Sequence, residues 1–78
     1  MNSLQKLLDF LDRLELNQIH FALARYRSEA LMVCVNVPGE KWEAEFFADG
    51  HVEVEVCRMD GYIRGEEELE RLFAENSE

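Results

Sequence analysis

The chain has 78 residues, of which 17 are acidic and 8 are basic, with a formal net charge of −9 and 47% apolar residues. This length accommodates one domain, residues 1–78, and the apolar content excludes a disordered tail, while the longest uncharged stretch, residues 30–39, is too short to span a bilayer. The negative charge disfavours nucleic acid and membranes as partners, since both reward Lys and Arg, and with no secretory signal visible we expect a cytoplasmic protein.

The first segment predicts a helix over residues 3–16. Five leucines recur at the three- and four-residue spacing of a single helical face, and charged side chains fall on the other side. These leucines are Leu4, Leu7, Leu8, Leu11 and Leu14. Asn2 with Gln5 matches a capping box, and Asn17 suits the left-handed residue that ends a helix.

From residue 19 the apolar period changes to two, which predicts strands over residues 19–26 and 31–37. Pro38-Gly39 then predicts a type II turn, because proline supplies the fixed φ and glycine the positive one.

The register of the first strand has two solutions. An odd-length loop to the second strand points Ile19, Phe21 and Leu23 toward the core, whereas an even-length loop points residues 20, 22, 24 and 26 there. Burial of the larger apolar area favours the odd loop. Tyr26 then joins the opposite, open face of the sheet.

The centre of the chain predicts a hairpin of two strands, residues 41–47 and 52–57, around the three-residue loop 48–50. Each strand alternates apolar residues with glutamates. Trp42 belongs to the apolar row, where it is either the centre of the core or an interface anchor.

The end of the chain predicts a turn at Asp60-Gly61, after which Tyr62 and Ile63 are expected to lie along the sheet, and a short helix over residues 66–75. The residues that this helix buries are Leu69, Leu72 and Phe73. The order is therefore helix, four antiparallel strands, helix. Short connections favour a meander, and both helices cover its apolar face, which gives a two-layer α+β sandwich.

The hairpin register brings four glutamates together on the outer face. A three-residue loop sets Glu45 opposite Glu53 and Glu43 opposite Glu55, whereas a two-residue loop would mix core and surface side chains on one face. Like charges in directly opposed positions destabilise a sheet. Two interpretations remain: a solvated face that maintains solubility, or a docking face for a basic protein partner.

Sulfur and aromatic groups adjoin these acids in the predicted sheet. Cys34 lies beside Glu43 and Met32 beside Glu45, while Phe47 extends the apolar fringe. Apolar groups next to acids are more typical of an interface than of plain solvent surface. The predicted protein-binding residues are Glu43, Glu45, Glu53, Glu55, Met32, Phe47 and Tyr26.

Catalytic and metal-binding signals are weak. Cys34 and Cys57 fall on alternate strands, about 9.5 Å apart and beyond the roughly 7 Å reach of a disulfide. Neither cysteine nor either histidine has metal-ligand spacing, and no serine sits in a nucleophile context. His51 is expected to be an exposed loop residue. No enzyme activity, cofactor or metal is predicted.

Residues 35–61, with the run Val37-Pro38-Gly39-Glu40-Lys41-Trp42-Glu43-Ala44-Glu45-Phe46-Phe47 followed by Asp49-Gly50 and Val52-Glu53-Val54-Glu55, resemble a set of short uncharacterised bacterial proteins. Some small acidic α+β proteins of this kind act as immunity proteins that neutralise toxins. The resemblance implies a protein-binding inhibitor, and it assigns no functional residue.

Three functions follow as hypotheses. The first is a non-enzymatic, immunity-like module that docks a basic partner, such as a toxin, through the open sheet face. The second is a small self-associating protein, a homodimer formed through the first strand or a helix. The third is an enzyme of unknown class, which requires a deep pocket containing His51 or a glutamate pair.

Overall fold

The fold is one antiparallel sheet covered on one face by two helices, as seen in a computed structural model that describes residues 2–57, 63–64, 66 and 68–76. The elements in chain order are α1 (Ser3–Leu16), β1 (Phe21–Ala24), β2 (Ala30–Val37), β3 (Glu40–Phe47), β4 (Val52–Cys57), β5 (Ile63–Arg64) and α2 (Glu68–Asn76). The strands follow one another in space in their sequence order. The predicted α+β meander between two helices is confirmed.

The sheet has one more strand than the four of the predicted meander. Ile63 and Arg64 pair with Glu55 and Val54, so the expectation that Ile63 lies along the sheet is confirmed at the β4 edge. The predicted turn at residues 60–61 and the placement of Tyr62 fall outside the described residues.

Helix α1 begins and ends through local hydrogen bonds. The Asn2 side chain accepts a hydrogen bond from the backbone N–H of Gln5 at 2.6 Å, which confirms the predicted cap. The Gln5 side chain bonds Asp9 instead of completing the capping box. Asn17 keeps a negative φ of −95°, and Gln18 takes the left-handed conformation at 58°, so the predicted position of the turn was wrong by one residue.

The buried side of α1 differs from the predicted leucine stripe. Leu7, Phe10 and Leu14 are buried, whereas Leu4 is 61% exposed and Leu8 44% exposed. A leucine stripe this wide covers more of the helix surface than the sheet can contact. Helix α1 is therefore oriented with Phe10 toward the sheet, where the centroid of its ring lies 5.3 Å from that of Phe46.

Both tight turns of the central strands form as predicted. Gly39 has a φ of 81° after Pro38, which is the conformation that a type II turn requires. Gly50 has a φ of 97° and its N–H donates to the Phe47 carbonyl oxygen at 2.9 Å. A matching bond from the Phe47 N–H to the His51 carbonyl oxygen closes the three-residue loop.

The register of β1 is the predicted one, although the strand is shorter. Phe21 lies opposite Val35 and Leu23 opposite Val33, which places both on the helix side of the sheet. The strand ends at Ala24 instead of residue 26. Residues 25–29 form a bend that carries Arg27 across the other face.

The core lies between the sheet and the two helices. Trp42 is 0% exposed, which confirms its predicted place at the centre of the core. Phe10 of α1 and Phe73 of α2 meet edge to face with ring centroids 5.7 Å apart. Arg13 and Glu70 join the same two helices at 2.8 Å. The core cluster is completed by Ile19, between α1 and β1, and by buried residues of both helices and the inner row of the strands: Leu7, Leu14, Val33, Val35, Ala44, Phe46, Val52, Val54, Val56, Leu69 and Leu72.

Helix α2 buries the three residues predicted for it, Leu69, Leu72 and Phe73. Since these residues and those of α1 belong to one cluster with the inner row of strand side chains, both helices pack on the same face. The opposite face carries the glutamates. In the described part of the chain, no helix is long and apolar enough to cross a membrane.

Candidate functional site

Four glutamates of β3 and β4 occupy the sheet face opposite the helices. Glu45 lies opposite Glu53 and Glu43 opposite Glu55, as the loop length predicts. The period of two puts them on one face because their neighbours Trp42, Ala44, Val54 and Val56 fill the core. We call the surface formed by these four residues the acidic face: Glu43, Glu45, Glu53 and Glu55.

Strand β2 contributes sulfur-containing side chains to the same face. Cys34 lies opposite Glu43 and Met32 opposite Glu45, which confirms the predicted register of this hairpin. Both are partly exposed. Cys57 lies on β4, separated from Cys34 by β3, and both cysteines are free thiols.

Burial within the acidic face is uneven, which the alternation of residues did not predict. Glu45 is only 5% exposed. Its side chain is covered in part by Arg27, whose Nε lies 3.4 Å from the Glu45 Oε2 atom. The side chain of Glu43 is 24% exposed and that of Glu53 43% exposed, so these two carboxylates remain accessible.

Phe47 is covered rather than exposed, which corrects its expected part in an apolar fringe. It is 6% exposed. The His51 ring stacks on it with centroids 4.1 Å apart and an angle of 11°, and the Arg27 guanidinium lies 5.4 Å from its centroid. Phe47 therefore supports the His51 ring and the Arg27 guanidinium at one end of the acidic face and offers little area to a partner.

Positive charge on the acidic face is sparse and peripheral. The Lys41 ammonium is 3.8 Å from Glu43, and the His51 Nε2 atom is 3.4 Å from Glu53. Within the described residues, Glu55 has no cation in contact. Among the described residues, four carboxylates thus share two permanent cations and one histidine, which leaves an excess of negative charge that attracts cations.

His51 is held in the loop by acidic neighbours. Its Nδ1 atom lies 2.6 Å from Asp49 Oδ1, which also accepts the His51 backbone N–H at 3.0 Å. The hydrogen bond that the His51 ring donates to Asp49 raises the pKa of His51 above its ordinary value, and Glu53 adds to this rise. The hydrogen bond that Asp49 accepts from the His51 backbone N–H lowers the pKa of Asp49, and the contact with the His51 ring lowers it further.

A shallow cavity of about 120 Å³ opens between the four glutamates, with Arg27 and Met32 on its border. A single water needs roughly 10–15 Å³ of such space, so the cavity has room for the polar head of a side chain. His51 does not line it. In the described residues there is no cluster of three or more His, Cys, Asp or Glu side chains that could hold a metal ion.

A second cavity of about 320 Å³ lies between the helices, with Phe10 and Phe46 among its lining residues. Four of its charged residues form ion pairs, with Lys6 3.2 Å from Glu66 and Arg13 2.8 Å from Glu70, and Asp9 accepts a hydrogen bond from the Gln5 side chain. These ion pairs join α1 to the C-terminal segment. The four charged residues of these ion pairs therefore have a structural role.

The remaining predicted contact residue, Tyr26, is 72% exposed. It lies in the bend after β1 instead of on the strand. Arg27, which falls between the two strands predicted over residues 19–26 and 31–37, is the residue that the structure adds to the site. In the sequence, Arg27 could have been found only from its position just before β2, the strand that pairs with the glutamate-bearing β3.

Fold and site together define a small acidic α+β protein whose sheet face opposite the helices concentrates carboxylates around a shallow cavity. Comparisons with models of protein families, with curated proteins and with solved structures find no match for the chain.

Proposed function

We propose that the protein is a non-enzymatic binding module that docks a basic protein through its acidic face, in the bacterial cytoplasm, in the manner of an immunity protein that neutralises a toxin. The observation that carries this proposal is the opposition of Glu45 to Glu53 and of Glu43 to Glu55. Such pairs cost stability in the free protein, and a cationic partner removes that cost.

The other features of the acidic face support docking over chemistry. Carboxylates at its surface steer a basic partner and select against acidic ones. Met32 and Tyr26 supply partly or fully exposed contact area beside them. The cavity is shallow and its histidine neighbour lies outside it, which suits insertion of a side chain more than enclosure of a substrate.

Affinity capture from the native host tests the proposal, with the captured protein identified by mass spectrometry. The variant Glu43→Lys with Glu55→Lys reverses the charge of the acidic face, and we expect it to lose a basic partner that the wild type captures. The control Asp12→Lys with Glu15→Lys makes the same change of charge on exposed positions of α1 and should retain capture. Capture by the first variant at the wild-type level would reject the proposal.

Self-association is the second candidate function, and the exposed leucines favour it. Leu4, Leu8 and Leu23 are 61%, 44% and 50% exposed, and all three belong to the half of the chain that has no net charge, residues 1–39. Two copies can meet through this half without charge repulsion. Sedimentation velocity at micromolar concentration distinguishes the two candidates, because a strict monomer eliminates this one.

A further inference from the structure

Glu45 has a buried carboxylate oxygen, Oε2, that lacks a hydrogen-bond donor among the described residues. Its side chain is 7% exposed, and its Oε2 atom accepts no hydrogen bond from any described residue. Arg27 approaches to 3.4 Å, but that contact does not have hydrogen-bond geometry. A buried charge is costly unless both a counter-ion and hydrogen bonds satisfy it. The site therefore has an unfilled requirement for an N–H donor.

The chemistry of the cavity favours a guanidinium group as that donor. Glu45 lines the cavity together with Glu43, Glu53 and Glu55. These four do not converge as a set of metal ligands within the described residues. A guanidinium is planar, carries five N–H donors and loses its hydration more readily than an ammonium, so it suits several separated carboxylates. The Met32 side chain offers an apolar border against which its plane can rest.

We propose that the cavity between the four glutamates binds an arginine side chain of the partner, and that Arg27 is an internal occupant which this arginine displaces. The inference rests on the proposed function, since it names the chemical group that the acidic face recognises. It adds that the free protein partly blocks its own site.

Arg27 has the properties of a displaceable occupant. Its side chain is 52% exposed, and it lies in the bend between β1 and β2 rather than in a strand. Its second contact, with the Phe47 ring, is 5.4 Å long and close to the roughly 6 Å limit for such interactions. Because the Arg27 side chain is half-exposed, water screens its attraction to the buried Glu45, and a better-placed arginine can replace it.

Peptide titration followed by NMR tests the inference. The probe is the tripeptide Gly-Arg-Gly with blocked ends, and its counterpart carries uncharged citrulline in place of arginine. We expect the arginine peptide alone to shift the backbone amide signals of Met32, Glu45 and Glu53. Glu45→Gln should weaken binding of this peptide.

Arg27→Ala distinguishes an occupant from a member of the site. Removal of the competing guanidinium should tighten binding of the arginine peptide about two- to fivefold, because the peptide no longer has to displace the half-exposed Arg27 side chain from Glu45. Arg25→Ala is the matched control, because Arg25 lies in the same bend, bonds the Ser28 carbonyl oxygen and carries the same charge. This control should leave the affinity within experimental error of the wild type.

Unchanged or weaker binding to the Arg27→Ala variant would overturn the inference, as would equal binding of the citrulline peptide. If Arg27→Ala unfolds, Arg27→Gln supplies the same test, since it also removes the charge while it retains side-chain bulk. The proposed function is judged separately by capture of the whole partner. Loss of capture upon charge reversal of Glu43 and Glu55, with no effect of Arg27, would leave docking in place and remove only the arginine site.

Discussion

Trp42 contacts both Glu40 of its own strand and Arg71 of the second helix. Its ring is fully buried, and its Nε1–H donates to Glu40 Oε1 at 3.0 Å. The Arg71 guanidinium of α2 lies 4.8 Å from the centroid of the indole ring and 3.5 Å from Glu40 Oε2. One side chain therefore combines apolar burial with the contact that fixes α2 to β3.

Truncation of Trp42 should come close to unfolding the protein. Trp42→Ala is expected to lower the free energy of unfolding by about 3–5 kcal/mol, a large part of the 5–15 kcal/mol that is typical of a domain. Trp42→Phe retains a ring but loses the bond to Glu40, so its cost should be smaller. Urea denaturation followed by circular dichroism measures both. Equal costs for the two variants would show that the hydrogen bond, and not burial, dominates.

His51 gives the stability of the loop a defined dependence on pH. Because the folded-state pKa of His51 is raised above its unfolded value of 6.5, its contribution is fully present below pH 6.5. That contribution is lost as the pH rises through the higher folded pKa. The Asp49 carboxyl has a lowered pKa, so its contribution appears above its unfolded value of 3.8 and is lost only as the pH falls through the folded one.

Asp49→Asn should therefore lower the pKa of His51 and flatten the loss of stability above pH 6.5. The variant keeps a side-chain oxygen for the His51 backbone N–H, so the turn itself is preserved. NMR titration of the His51 ring protons gives the pKa directly. Urea midpoints measured at several pH values between 6 and 8 give the linked stability. A His51 pKa that is the same in both proteins would contradict the role of Asp49.

The opposed glutamates make the β3–β4 hairpin less stable than it would be with oppositely charged residues at these positions. Glu43 and Glu55 face one another directly, and so do Glu45 and Glu53. Opposite charges in such positions stabilise a sheet by roughly 0.2–1 kcal/mol, and like charges destabilise it. A hairpin optimised for stability alone would place lysine on one side of each pair.

Glu55→Lys should consequently stabilise the protein while it weakens partner capture. The new ammonium faces Glu43, and we expect the free energy of unfolding to rise by about 0.5–1 kcal/mol, with a melting temperature a few degrees higher. Glu55→Gln removes repulsion without adding attraction and should show a smaller gain. Thermal melts at low ionic strength measure both variants. A destabilised Glu55→Lys protein would show that the opposed pairs carry no net repulsion.

Much of the hairpin could be predicted from local sequence because two independent constraints agree there. The alternation of valine with glutamate defines the faces of β4, and the Ala-Asp-Gly loop sets its register against β3. The predicted neighbours of the acidic face on β2 follow from the Pro38-Gly39 turn in the same way. Turn length and face alternation are local properties, so no knowledge of the rest of the fold is needed.

Burial on the outer face could not be predicted, because it depends on side chains that arrive from elsewhere in the chain. Arg27 covers Glu45 from the bend before β2. His51 lies directly across the hairpin loop from Phe47, but the stacking of its ring on Phe47 depends on a side-chain conformation that the register does not determine. The orientation of α1 is also a tertiary property, since Phe10 replaces Leu4 and Leu8 on the buried side. Periodicity alone cannot choose which part of a broad apolar stripe meets the sheet.

Charge is divided between the two halves of the chain. Residues 1–39 carry four acidic and four basic side chains, whereas residues 40–78 carry thirteen acidic and four basic ones. The acidic face belongs to the second half, and α1 packs on the opposite side of the sheet. The field of the protein therefore directs a basic partner toward the acidic face and away from α1.

Binding of the captured partner should consequently depend on salt through its association rate. The Debye length falls from about 30 Å at 0.01 M ionic strength to about 8 Å at 0.15 M, so long-range attraction is largely screened over this range. We expect the association rate constant to fall about tenfold or more, with little change in the dissociation rate constant. Surface plasmon resonance measures both rate constants.

Glu43→Gln with Glu55→Gln should flatten the salt dependence of the association rate constant, whereas Asp12→Asn with Glu15→Gln, which removes two charges from α1, should largely retain it. Equal slopes for these two variants would mean that net charge, and not the acidic face, attracts the partner.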